Sequence, residues 1–116
     1  RVIKPLDFNS IARSLKKTRN LLCLENSFED GSISNDIISK VATNDKIKLK
    51  NRPSLLAMPN VPVPSTYNSS KLFYKRHKDI VKKVLEMLGR KDKIPNTVLE
   101  AKRPYDVPGS WFKGPF

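Results

Sequence analysis

Pro53, Pro59, Pro62 and Pro64 punctuate the stretch RPSLLAMPNVPVPST, and a ring that fixes φ and removes the backbone N–H has no place inside a continuous helix or a central strand. The segment is therefore expected to run extended, in polyproline-like fashion, as a stiff connector. Leu55, Leu56, Met58, Val61 and Val63 within it gain nothing from water. They should lie against a surface of this protein or of a neighbour. Nine prolines against four glycines in 116 residues, with 38% hydrophobic content and a mean hydropathy of -0.49, predict little independent core.

Helical periodicity appears on both sides of the connector. Phe8, Ile11, Ala12, Leu15 and Leu22 share one face, with Arg13, Lys16, Lys17 and Arg19 mostly off it and Asp7, Asn9 or Ser10 available as a cap, which predicts a helix from about Asn9 to Leu24. SFEDGSISND reads as a turn around Gly31, leading into a short helix from about Asn35 to Ala42 with Ile37, Ile38 and Val41 inward. In KIKLK, Lys46, Lys48 and Lys50 alternate with Ile47 and Leu49, as in a lysine-protected edge strand or an extended basic strip. KLFYKRHKDIVKKVLEMLGRKDK predicts the longest helix, capped by Ser69 or Ser70 and stopped by Gly89, with Phe73, His77, Ile80, Val81, Val84, Leu85 and Leu88 along one stripe. Thr97 and Glu100 have capping-box spacing for one short turn before Pro104.

The expected fold is mainly α, a few amphipathic helices joined by long extended proline-rich segments. It divides into a basic helix plus short helix (1–45), an extended connector (46–70), a basic amphipathic helix (71–93) and a short turn with an aromatic tail (94–116).

A net charge of +12 and a pI near 10 call for an anionic partner, because a compact body of this size repels itself without one. Residues 1–27 carry six cations against two anions, 28–45 reverse the sign, 46–58 hold four uncompensated cations, and 71–93 hold nine against three. A chain tracking phosphates would show such blocks. The candidate nucleic-acid contacts are Arg13, Lys16 and Lys17; Lys46, Lys48, Lys50 and Arg52; Lys71, Lys75, Arg76, Lys78, Lys82 and Lys83; and Arg90, Lys91 and Lys93. The tail RPYDVPGSWFKGPF cannot form regular structure, so Tyr105, Trp111, Phe112 and Phe116 are expected either to fold back over the chain's own helices or to serve as contacts to a protein neighbour or to stacked bases.

Signals of catalysis are missing. There is no glycine-rich phosphate loop, nucleophile elbow or cluster with metal-ligand spacing, and the single histidine, His77, lies on an apolar stripe where packing or a hydrogen bond is its ordinary role. Cys23 among leucines reads as a buried thiol, and Glu29 and Asp30 read as solvated turn residues. No enzymatic activity, cofactor, metal or small-molecule substrate is expected. No apolar run approaches the roughly 20 residues of a membrane span, and Asn68-Ser69-Ser70 serves as a helix cap rather than a glycosylation site. Arg1 in place of Met fits removal of an upstream targeting segment and equally a simple truncation.

In its missing Met, its three basic blocks, its PNVPVP connector and its RPYDVPGSWFKGPF ending, the chain resembles the accessory proteins of fungal mitochondrial ribosomes. The resemblance implies a structural constituent of a ribonucleoprotein particle in the mitochondrial matrix, holding rRNA phosphates and neighbouring proteins. The same cations would serve a chromatin or nuclear ribonucleoprotein subunit in the nucleus, or an accessory subunit of a membrane-associated mitochondrial complex.

Overall fold

Asp7 opens the first helix, α1, Phe8–Thr18, its carboxylate accepting the Ser10 N–H at 3.0 Å and so satisfying a donor that has no partner inside the helix. The computed structural model describes residues 2–90 and 112–114, which belong to two compact units, 1–57 and 58–116. Leu15 carries the apolar stripe of α1 into the core of the first unit. The helix stops well short of Leu24 because Arg19 turns left-handed, at φ 54° and ψ 20°, while its N–H donates to the Leu15 carbonyl at 2.9 Å.

The next element is a strand, not more helix. Leu22–Phe28 forms β1 and Ser54–Met58 forms β2, paired in a two-stranded parallel sheet. Between them lies α2, Ile33–Ala42, capped by Ser32, whose hydroxyl accepts the Asn35 N–H at 3.2 Å. α2 packs on β1, and Val41, Leu15 and Ile47 form the buried centre, with Phe8, Ile11, Ala12, Leu21, Ile37 and Leu49 packed around it.

KIKLK forms no strand, but its alternation survives as exposure: Ile47 and Leu49 turn inward, and Lys46, Lys48 and Lys50 turn outward. The segment is held against the end of α1. The Lys50 N–H donates to the Arg19 carbonyl at 2.7 Å, Arg19 Nε donates to the Lys48 carbonyl at 3.2 Å, and the Asn51 amide donates to Asn20 Oδ1 at 2.8 Å. The Ser54 N–H then donates to the Leu21 carbonyl at 3.0 Å, leading into the sheet.

In the second unit the expected single helix is two. α3, Tyr67–Phe73, ends at Tyr74, and α4, His77–Met87, starts after extended Arg76, whose N–H donates to the Asp79 carboxylate at 2.8 Å. Phe73 is buried and meets the Tyr74 ring edge-on at a centroid distance of 5.1 Å. Gly89, at φ 69°, closes α4: its N–H donates to the Glu86 carbonyl at 3.1 Å and the Arg90 N–H to the Leu85 carbonyl at 2.8 Å, a left-handed stop that glycine adopts without a Cβ clash. His77, at the first position of α4, is exposed.

The mainly α expectation is thus corrected to an α/β arrangement. Leu22, Cys23 and Leu24 read as helix because Leu22 lies seven residues after Leu15, but a short apolar run is ambiguous by periodicity alone. Residues 54–58 read as part of a polyproline-like connector, yet Pro53 and Pro59 bracket the strand instead of interrupting it. The expected turn at Thr97 to Glu100 lies outside the described residues.

Candidate functional site

β1 alternates between two environments. Cys23 is buried, while Leu24 and Phe28, on the other face, are 52% and 44% exposed. Glu25 shares the Cys23 face, and its carboxylate sits at the start of α2, accepting the Ser34 N–H at 2.9 Å and the Ser27 hydroxyl at 3.0 Å. The hydroxyl and N–H of Ser34, and then Ser27, hold the Glu25 carboxyl below its ordinary range despite some desolvation. Burial, reinforced by the Glu25 charge, pushes the Cys23 thiol up, away from the reactive thiolate. At the other end of the unit, the Ser10 hydroxyl and N–H lower the pKa of Asp7.

A carboxylate with a depressed folded-state pKa contributes stability above the ordinary glutamate range and loses it as pH falls through the folded value. Replacing Glu25 by Gln is expected to cost about 0.5 kcal/mol at neutral pH, a helix-terminus interaction reduced by solvent screening. Thermal melts of both proteins across pH check this. The gap should be widest near neutrality and close in acid; a constant gap would mean that the charge plays no part.

The cations anticipated as phosphate contacts are distributed over both units. In the first, Arg13, Lys16 and Lys17 are exposed on α1, and Lys46, Lys48, Lys50 and Arg52 are exposed along the segment leading to β2. The Arg19 hydrogen bonds bring Lys48 and Lys50 beside the basic end of α1. In the second unit Lys71, Lys75, Lys78, Lys82 and Arg90 are exposed, and Arg76 and Lys83 are half-buried. The break at residues 74–76 interrupts the continuous ridge expected of Lys71, Lys75, Lys78 and Lys82. Lys91, Lys93, Tyr105, Trp111 and Phe116 lie outside the described residues, and Phe112 is 44% exposed.

One concave feature escaped the sequence. Pro59, Val61, Pro62 and Pro64 wrap against Leu72 and Phe73 of α3 to enclose a cavity of about 220 Å³. Its floor includes buried Phe73, whereas Leu72 is 79% exposed. The only signal was the run of apolar residues between prolines, which indicated burial without showing that the connector turns back on α3.

Among the described residues, no group of His, Cys, Asp or Glu is placed to hold a metal ion, and every buried side-chain nitrogen or oxygen has a hydrogen-bond partner. No described helix is long and apolar enough to cross a membrane. Exposed cations and a proline-lined apolar groove are the surface features that the described residues present.

Comparison with known proteins gives these surfaces a context. The family model described as transketolase, C-terminal domain, matches residues 1–80. A pyruvate dehydrogenase E1 component subunit beta of Mesostigma viride is 35% identical over 89 residues, covering 77% of this chain and 27% of the relative. The protein of the same name in Chlorokybus atmophyticus is 38% identical over 64 residues, covering 55% and 19%, and that in Cyanidium caldarium is 32% identical over 69 residues, covering 60% and 21%. The chain spans about a quarter or less of the length of these relatives. No solved structure matches it significantly.

These matches overturn the ribonucleoprotein reading, with its ribosomal resemblance, its rRNA partner and its role in translation. Cationic charge and proline content are general properties of a chain, and neither belongs to ribosomal proteins alone. The non-enzyme expectation is corrected as well, since the relatives are named as subunits of an enzyme component.

Proposed function

The chain belongs to the transketolase C-terminal domain family, and from that premise we propose that it is the C-terminal part of a pyruvate dehydrogenase E1 beta-type subunit, acting in subunit assembly. The observation that carries the reading is the family match over residues 1–80, which takes in α1, β1, α2, β2 and α3 together. The described surfaces are in keeping with assembly: exposed cations and an apolar groove suit a protein neighbour. On this reading the reacting groups of the enzyme come from the rest of the beta-type subunit and from its partner, an E1 alpha-type subunit. Tyr105, Trp111, Phe112 and Phe116 remain proposed partner contacts. An organellar location accords with the relatives, and the mitochondrial matrix is its proposed finer form.

Co-expression of the tagged chain with an E1 alpha-type subunit, then gel filtration with and without RNase, tests this. Co-elution that survives RNase is expected. Failure to associate, or association dispersed by RNase, would overturn the assembly reading.

A further inference from the structure

We propose that the groove of the second unit seats an apolar side chain presented by an acidic segment of a partner protein. Pro59, Pro62 and Pro64 have fixed φ angles, so this wall is organised before anything binds, which lowers the entropy lost on docking. The cavity of about 220 Å³ is smaller than the roughly 300–1,000 Å³ typical of small-molecule sites and suits a single bulky side chain. Leu72, 79% exposed, and Val61, 51% exposed, leave apolar surface uncovered at its lining.

The charge around it selects the kind of segment. Within the second unit no Asp or Glu occurs from Met58 through Lys78, while Lys71 and Lys75 flank the groove residues Leu72 and Phe73 in sequence and are both exposed. A basic segment would be repelled and an acidic one drawn in. Nucleic acid is a poorer occupant, because binding through bases uses exposed aromatic faces and the ring in this groove, Phe73, is 2% exposed. A second copy is disfavoured by the net charge of +12 that each would bring. The inference rests on the assembly reading for the source of the segment, but the groove can be tested without the assembled enzyme.

The probe is a short Glu- and Ser-rich peptide bearing one Phe, titrated into the full 116-residue chain while the methyl signals of Val61 and Leu72 are monitored by NMR. A version with Lys for Glu, a version with Ser for Phe, and a uridine oligonucleotide serve as competitors. The acidic Phe peptide should shift both methyls saturably, and the competitors should not. Leu72→Glu should weaken binding about tenfold or more, as loss of a buried anchor contact does. The double variant Lys71→Glu, Lys75→Glu should also weaken it and remove its salt dependence. Leu72 is exposed, so its variant should keep the fold, with an unchanged Phe73 ring signal as the check. Equal binding of the peptide lacking Phe, competition by the oligonucleotide at the same methyls, or occupation of the groove by a second chain would each overturn the proposal. Because the peptide reads the groove and gel filtration reads the assembly, failure of one is distinguishable from failure of the other.

Discussion

Replacing Leu15 by alanine is expected to destabilise the first unit by about 3 kcal/mol, within the range of roughly 2–5 kcal/mol seen when a large aliphatic side chain is removed from a closed core. Leu15 is 4% exposed and lies with Val41 and Ile47 at the meeting point of α1, α2 and the KIKLK segment. Its removal leaves a void whose lining loses its contacts. Relaxation is restricted because Arg19 and Asn20 tie the end of α1 to residues 48–51. Small domains hold only about 5–15 kcal/mol in total, so the loss should be plain in urea denaturation monitored by circular dichroism. Leu24→Ala, at a position 52% exposed on the open face of β1, should change stability by no more than about 0.5 kcal/mol. Equal effects at the two positions would remove Leu15 from the core.

Phe73→Ala is expected to cost the second unit about 3–5 kcal/mol. Phe73 is 2% exposed, contacts Tyr74 edge-on and forms part of the groove. Truncation removes both the ring pair and the floor against which the proline segment lies. Phe73→Leu, which keeps much of the volume, should lose clearly less, about 1 kcal/mol. Urea titration monitored by tyrosine fluorescence checks both variants. If Phe73→Leu proved as damaging as Phe73→Ala, aromatic geometry rather than burial would be the cause.

Several local features were readable residue by residue. Asp7 was available as a cap and is used as one, Gly89 ends a helix, and the lysines of KIKLK face outward. Each depends on chemistry within a few residues. The strands were not readable, because β1 and β2 complete their hydrogen bonds only with each other, across the intervening α2. Taken alone, LLCLE continues a helical stripe and SLLAM is a gap between prolines. The same limit applies to the site. Glu25 meets the start of α2 only once β1 has packed beside it, and the groove exists only once the PNVPVP segment has folded onto α3.

Function is hidden from a single sequence for a related reason. Charge is a long-range property that reports the sign of a partner, and phosphates, acidic lipids and acidic proteins share that sign. The match over residues 1–80 depends on a pattern shared across relatives, which a single chain does not display.

Composition and local order alone determined that the chain is strongly cationic, that apolar stripes run through its helical segments and that prolines confine regular structure to short pieces, because these are additive or nearest-neighbour properties. Tertiary structure decided which apolar runs became strands, where Arg19 would end α1, and how prolines and α3 would enclose a groove. Those outcomes depend on hydrogen bonds and buried contacts between residues far apart in the chain, whose energies come into being only when the distant partner is in place.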